Sequence, residues 1–70
     1  MIDCPVQIET INMSYGDFML MRNPNNTYSI WFREKGMFGL HAGKKQFETE
    51  LSARQFLNKI MFKRFYLDDL

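Results

Sequence analysis

The sequence has 70 residues, of which 46% are hydrophobic and 24% charged, with a formal net charge of +1. This length allows one small domain of marginal stability, because so short a chain buries only about 60% of its surface on folding. The lone cysteine, Cys4, excludes an intramolecular disulfide, and the near-neutral charge disfavours strong non-specific binding to polyanions. No apolar run is long enough to span a bilayer and no signal-peptide pattern is visible, so we expect an intracellular, reducing, cytoplasmic location without membrane attachment.

The first part of the chain shows the alternation of apolar and polar residues that is typical of β-strands. Residues 6–9 alternate, and the apolar phase then shifts to Ile11, which predicts a bulge or bend near Thr10. A tight turn is predicted at residues 16–17, where glycine precedes aspartate. The four apolar residues that begin at Phe18 indicate a strand that is apolar on both faces.

After an Asn- and Pro-rich loop at residues 22–26, the pattern over residues 27–35 predicts the clearest strand of the chain. Its two faces carry Tyr28, Ile30 and Phe32 on one side and Ser29, Trp31 and Arg33 on the other. Shorter alternating stretches predict two further strands, at residues 37–42 and 47–51. Phe38 and Leu40 of the first stretch are expected to face the helix that follows.

A helix is predicted to begin at Ser52. Ser52 and Gln55 have the spacing of a capping box, and Leu51 and Phe56 can form the accompanying hydrophobic staple. One apolar stripe then follows at about 100° per residue. The stripe consists of Ala53, Phe56, Leu57, Ile60 and Met61.

The sequence therefore predicts a single α+β domain over residues 1–70. We expect an antiparallel meander of four or five strands over about residues 5–51, followed by one C-terminal α-helix over residues 52–66. The helix is expected to pack on one face of the sheet, and residues 67–70 form a short acidic tail.

The apolar pattern of the helix breaks at its far end. Arg64 falls within the apolar stripe, whereas Phe62 and Tyr66 fall on the polar side. One interpretation is that the helix ends near Phe62. In the other, the helix continues and Phe62 and Tyr66, four residues apart, form an exposed aromatic pair of the kind that marks an interface.

The sequence lacks the residue groups that catalysis or metal binding requires. Cys4 and His41 are the sole thiol and the sole imidazole, and they are far apart in the sequence. No ligand cluster has a recognised metal-binding spacing, and the carboxylates are scattered. We therefore expect neither an enzyme nor a cofactor-binding protein.

The face of the sheet opposite the helix is a candidate binding surface. Trp31 and Arg33 should project from it together, with His41 from the next strand beside them. Trp and Arg are enriched in protein interfaces, and an exposed Trp flanked by basic groups can also stack single-stranded bases. In a third interpretation, the N-terminal strand or the C-terminal tail covers Trp31.

The first functional hypothesis is a small, stand-alone, non-catalytic module that binds a larger protein, in the manner of viral and mobile-element inhibitors of host enzymes. Homodimerisation through the same surface is a variant. Its candidate partner-binding residues are Trp31, Arg33, His41, Phe62 and Tyr66. The alternative is a single-stranded nucleic-acid-binding module that uses Trp31, Arg33, Lys35, His41, Lys44 and Lys45.

Overall fold

The computed structural model describes residues 4–62 and residue 70, which form a sheet and one helix. The strands are β1 (Val6–Met13), β2 (Gly16–Arg22) and β3 (Tyr28–Glu34), and the helix is α1 (Glu50–Met61). The sheet is antiparallel, with β2 between β1 and β3. The described chain is thus α+β, with the helix C-terminal to the sheet as the sequence predicts.

The β1–β2 hairpin turns at residues 14–15, so the prediction of a turn at residues 16–17 is wrong. Gly16 is instead the first residue of β2 and pairs with Met13. A Cβ atom on Gly16 would lie 2.5 Å from an atom of the Phe32 ring, so glycine is required here for close packing. A bulge does interrupt β1, but the β1–β2 register shifts between Gln7 and Glu9 and not at Thr10, near which it was predicted.

The central strand β2 is buried on both faces, which explains its unbroken apolar run. Phe18 and Leu20 are fully buried on one face, and Met19 and Met21 are 8% and 7% exposed on the other. The first face belongs to a core cluster that joins the sheet, the helix and residue 70. Its buried members are Phe18, Leu20, Ile30, Phe32, Ala53, Leu57, Ile60 and Leu70.

The prediction of four or five strands is not confirmed in the part of the chain that the structure describes. Instead of a full fourth strand, residues 41–47, here called the return segment, meet the outer edge of β3 at two isolated bridges. His41 exchanges backbone hydrogen bonds of 2.8 and 3.0 Å with Phe32, and Phe47 exchanges two of 2.8 Å with Tyr28. Five residues of β3, 28–32, therefore span the same distance as the seven residues of the return segment, which bends between the bridges.

Gly43 sits at this bend, against the backbone of β3. A Cβ atom there would lie 2.0 Å from the carbonyl oxygen of Ile30 and 2.9 Å from that of Leu70. Leu70 is 2% exposed, and its carbonyl oxygen accepts a 2.8 Å hydrogen bond from the Lys45 amide. The return segment therefore lies between β3 and residue 70.

The prediction that the helix begins with a capping box at Ser52 is wrong, because the helix begins earlier. Its N-cap is Thr49, whose Oγ1 accepts a 3.1 Å hydrogen bond from the Ser52 amide. The earlier start places Glu50 in the first turn, one helical turn before Arg54. Leu51 is consequently 66% exposed and does not form the predicted staple.

The predicted apolar stripe of α1 is confirmed. Ala53, Leu57 and Ile60 are buried, and Phe56 and Met61 pack against the core cluster. The helix ends at Met61 with Phe62 as its C-cap, in agreement with the first interpretation of the pattern break. The remainder of the predicted helix, at residues 63–66, lies outside the described residues.

Arg54 links the helix to β1. Its guanidinium donates hydrogen bonds of 2.5 Å to Glu9 and 2.9 Å to Glu50. The hydrogen bond to Glu9, followed by that to Glu50, raises the pKa of Arg54 above its ordinary value. Glu9 is the only ionisable residue of β1, so its charge is balanced within the same molecule.

We expect Gly43→Ala to destabilise the protein by at least about 2 kcal/mol, because the new methyl group meets the backbone of Ile30, which cannot rotate away. Gly39→Ala is the matched control: nothing lies within 4 Å of its Cβ position, so we expect a change within about 0.5 kcal/mol. Urea unfolding of both variants measures the difference. Equal stability of the two would contradict the close approach of the return segment to β3.

We expect Thr49→Ala to cost about 1 kcal/mol, because it removes the side-chain acceptor of the Ser52 amide. Ser52→Ala leaves that acceptor in place and should cost less. Thermal unfolding of the two variants ranks them. A larger loss of stability for Ser52→Ala would indicate that Ser52, and not Thr49, is the N-cap.

Candidate functional site

The sheet face opposite the helix is built from cross-strand pairs. Met19 lies opposite Trp31, and Asp17 lies opposite Arg33. Trp31 is half-buried, and Arg33 donates a 2.9 Å hydrogen bond to Asp17. Arg33 and Trp31 therefore share this face as predicted, but the charge of Arg33 is balanced by a carboxylate.

The next pair along this face is closed by polar contacts. Ser29 lies opposite Met21 and is 3% exposed. The side-chain amide of Asn23 donates hydrogen bonds of 2.8 Å to the Ser29 hydroxyl and 3.0 Å to the Thr27 hydroxyl. This end of the face therefore has its polar groups satisfied and offers Ser29 no access to a ligand.

His41 does not join Trp31 on the predicted face. His41 pairs directly with Phe32, and residues that are directly opposite in an antiparallel pair point to the same side of a sheet. Phe32 belongs to the core side, whereas Trp31 is on the other. The predicted strand placed His41 by simple alternation, which the loop at residues 37–40 interrupts.

The three candidate lysines are exposed but are not gathered around Trp31. Lys35 follows β3 directly, and its amide donates a 3.0 Å hydrogen bond to the carbonyl oxygen of Tyr15. Lys44 and Lys45 lie on the return segment, and the Lys45 ammonium is 4.6 Å from the ring centre of Phe56. Lys45 therefore lies beside the helix and not on the face that carries Trp31.

The most exposed apolar group of the described chain lies where a strand was predicted. Met37, Phe38 and Leu40 are 59%, 103% and 45% exposed, so the prediction that Phe38 and Leu40 face the helix is wrong. Gly36, with φ of 82°, turns the chain after β3, and residues 37–40 form no strand. We call residues 37–40 the apolar loop.

Tyr15 connects this loop region with the end of the helix. Its hydroxyl donates a 3.3 Å hydrogen bond to the carbonyl oxygen of Met61, and its own carbonyl accepts the bond from Lys35. Phe62 follows Met61 and is 80% exposed. The apolar loop and Phe62 therefore lie at the same end of the molecule, whereas Tyr66 lies outside the described residues.

An open groove of about 580 Å³ lies at the opposite end, near the start of α1. It is bordered by Val6 and Ile8 of β1, by Tyr28, and by Arg22 and Glu50. Cys4 also borders the groove and has an exposed thiol. The lining combines aliphatic groups with one side chain of each charge, without an arrangement that identifies a reaction.

The described residues offer no constellation for metal chemistry. Among residues 4–62 and 70, no three His, Cys, Asp or Glu side chains are grouped so that they could hold a metal ion. Cys4 is exposed beside the groove, whereas His41 is bridged to Phe32. No helix in these residues has both the length and the apolar character that crossing a membrane requires.

Sequence reasoning missed the apolar loop, although one signal for it was present. The sequence from residue 36 to residue 39 is Gly-Met-Phe-Gly, in which two large apolar residues stand between glycines. Glycines on both sides favour a turn over a regular strand. The alternation of apolar residues over 37–42 concealed this signal.

No protein-family model, curated protein or solved structure matches the chain.

We expect Phe38→Ser to leave the free energy of unfolding within about 0.5 kcal/mol of its original value, because the ring is fully exposed. Leu51→Ser removes an exposed apolar side chain at the other end of α1 and should have an equally small effect. Chemical denaturation measures both. A loss above about 1.5 kcal/mol for Phe38→Ser would mean that the ring is packed.

Proposed function

We propose that this protein is a non-catalytic module that binds a larger protein through the apolar loop and the neighbouring Phe62. The observation that carries the proposal is the full exposure of Phe38 between two other exposed apolar residues. Exposed apolar groups that lie together on a small domain usually mark an interaction site. Large apolar residues such as Phe18 and Phe32 are buried in the core cluster of the same chain, whereas Phe38 is fully exposed.

The shape of this end suits insertion into a partner. Phe38 and Met37 project from a loop that begins at the Gly36 turn, and aromatic and methionine side chains supply large contact areas. The loop is anchored on both sides. The backbone N–H of Met37 donates a hydrogen bond to the carbonyl oxygen of Glu34, and His41 forms the backbone bridge to Phe32. An anchored loop loses less conformational entropy on binding than a free one.

Basic residues near the apolar loop indicate the charge of the partner. Lys35 precedes the loop and Lys44 follows it, and both side chains are exposed. Within the described residues, neither lysine forms an ion pair with a carboxylate. A partner with an apolar groove bordered by acidic residues would satisfy both features and associate faster at low salt.

The test compares Phe38→Ser with Leu51→Ser as baits for affinity capture from a lysate of the source organism. We expect at least one protein to be retained by the original chain and by Leu51→Ser, and to be depleted at least about tenfold with Phe38→Ser. A photo-cross-linking residue at position 38 should label the same protein. The measurement is quantitative mass spectrometry of the captured proteins.

Two results would contradict this proposal. The first is that every captured protein is retained equally by Phe38→Ser and Leu51→Ser. The second is that cross-linking from position 38 labels no protein that cross-linking from the exposed helix position Asn58 does not label. Either result would show that the apolar loop is not an interface.

Single-stranded nucleic acid is the alternative ligand, favoured by the half-buried Trp31 ring on the face opposite the helix. The Asp17–Arg33 ion pair and the separation of Trp31 from His41 weaken this alternative. Trp31 is the sole tryptophan, so its fluorescence reports on base stacking directly. Unchanged Trp31 fluorescence on titration with oligonucleotides at low salt would eliminate the hypothesis of nucleic-acid binding.

A further inference from the structure

The outer edge of β1 is open. The sheet order places β1 at one side, and within the described chain no backbone hydrogen bond joins β1 to any segment other than β2. The opposite side of the sheet differs, because the return segment covers the edge of β3 at two bridges. An exposed strand edge is a template for pairing with another chain.

The regular part of β1 directs two residues to this open edge. The two-residue turn makes Met13 and Gly16 the closing, hydrogen-bonded pair of the hairpin. Because hydrogen bonding alternates along an antiparallel pair, the residues paired with β2 by hydrogen bonds are 9, 11 and 13. The backbone N–H and C=O groups of Thr10 and Asn12 therefore point outward.

The features that normally protect a strand edge are largely missing here. Residues 9–13 contain neither lysine nor proline, and the one charged group, Glu9, is held by Arg54. The bulge between Gln7 and Glu9 does interrupt the edge. Pairing with a further strand is therefore confined to residues 9–13.

We propose that β1 pairs antiparallel with β1 of a second copy of this chain, around a two-fold axis through Ile11. In this register Thr10 of each copy lies opposite Asn12 of the other, which pairs all four outward-pointing residues. Side chains of like character also meet: Ile11 faces Ile11, and the polar side chains of Thr10 and Asn12 face each other. The result is a continuous six-stranded sheet.

Charge and symmetry select a second copy as the occupant. In this register Glu9 lies opposite Met13, whereas parallel self-pairing in register would place the two Glu9 carboxylates side by side. An isologous interface needs one self-complementary surface, and residues 9–13 supply it. This inference concerns another surface than the apolar loop and does not depend on the proposed function.

Thr10→Pro tests the pairing by removing an outward N–H group. Proline is tolerated on strand edges, and the ladder to β2 does not use this N–H. In sedimentation equilibrium we expect the original chain to form dimers in a concentration-dependent way. Thr10→Pro should raise the dimer dissociation constant at least about tenfold, while Thr10→Ala and Phe38→Ser change it less than about threefold.

Disulfide cross-linking tests the register independently of the proline variant. In a Cys4→Ser background, Ile11→Cys places two thiols at a non-hydrogen-bonded pair with Cα atoms about 4.5 Å apart, within the range of a disulfide. Thr10→Cys is the matched control, since its two copies are offset along the strands by two residues and lie beyond about 7 Å. We expect Ile11→Cys to form covalent dimers much faster than Thr10→Cys.

Three results would overturn the proposal. One is that the original chain stays monomeric at millimolar concentration, in which case the edge serves a different protein or none. Another is that folded Thr10→Pro dimerises as well as Thr10→Ala. The third is that Thr10→Cys cross-links as fast as Ile11→Cys, which would exclude a two-fold axis at Ile11.

Discussion

The contact between the return segment and the edge of β3 joins the sheet, the start of the helix and residue 70. It requires Gly43, because the backbone of Ile30 occupies the space that a Cβ atom would need. The same contact brings Phe47 to Tyr28 and Leu70 into the core. Because the N-cap Thr49 follows Phe47 by two residues, the contact also places the start of α1 near β3.

The surfaces that remain open follow from this contact. The return segment meets β3 first at His41, so the apolar loop before it has no strand to pair with and Phe38 stays in solvent. The segment also closes one edge of the sheet, which leaves β1 as the open edge of the described sheet. The two proposed interfaces, a loop for a larger partner and an edge for a second copy, thus have one structural origin.

Local patterns in the sequence predicted the features that depend on neighbouring residues. The bulge in β1 and the apolar stripe of α1 follow from periodicity, and the stripe is confirmed at Leu57 and Ile60. Phe38 was misplaced because alternation shows only that a strand is feasible, whereas a strand also needs a partner edge at the right distance. The helix N-cap is Thr49 and not the predicted Ser52, and the earlier start places Glu50 one turn before Arg54, with which it forms an ion pair. Within the predicted site, the placement of Trp31 and Arg33 on one face of β3 was predictable from the alternation of residues along the strand. The exposure of the apolar loop was not predictable, because it depends on long-range contacts.

The position of the return segment leaves Phe38 in solvent, while Phe32, six residues earlier, is buried in the same molecule. Hydroxyl-radical footprinting of the dilute protein, read by mass spectrometry, measures both rings at once. We expect Phe38 to be oxidised at the rate of the unfolded chain and Phe32 to be strongly protected. Equal protection of the two rings would show that the apolar loop packs against the domain, which would contradict the exposure of Phe38.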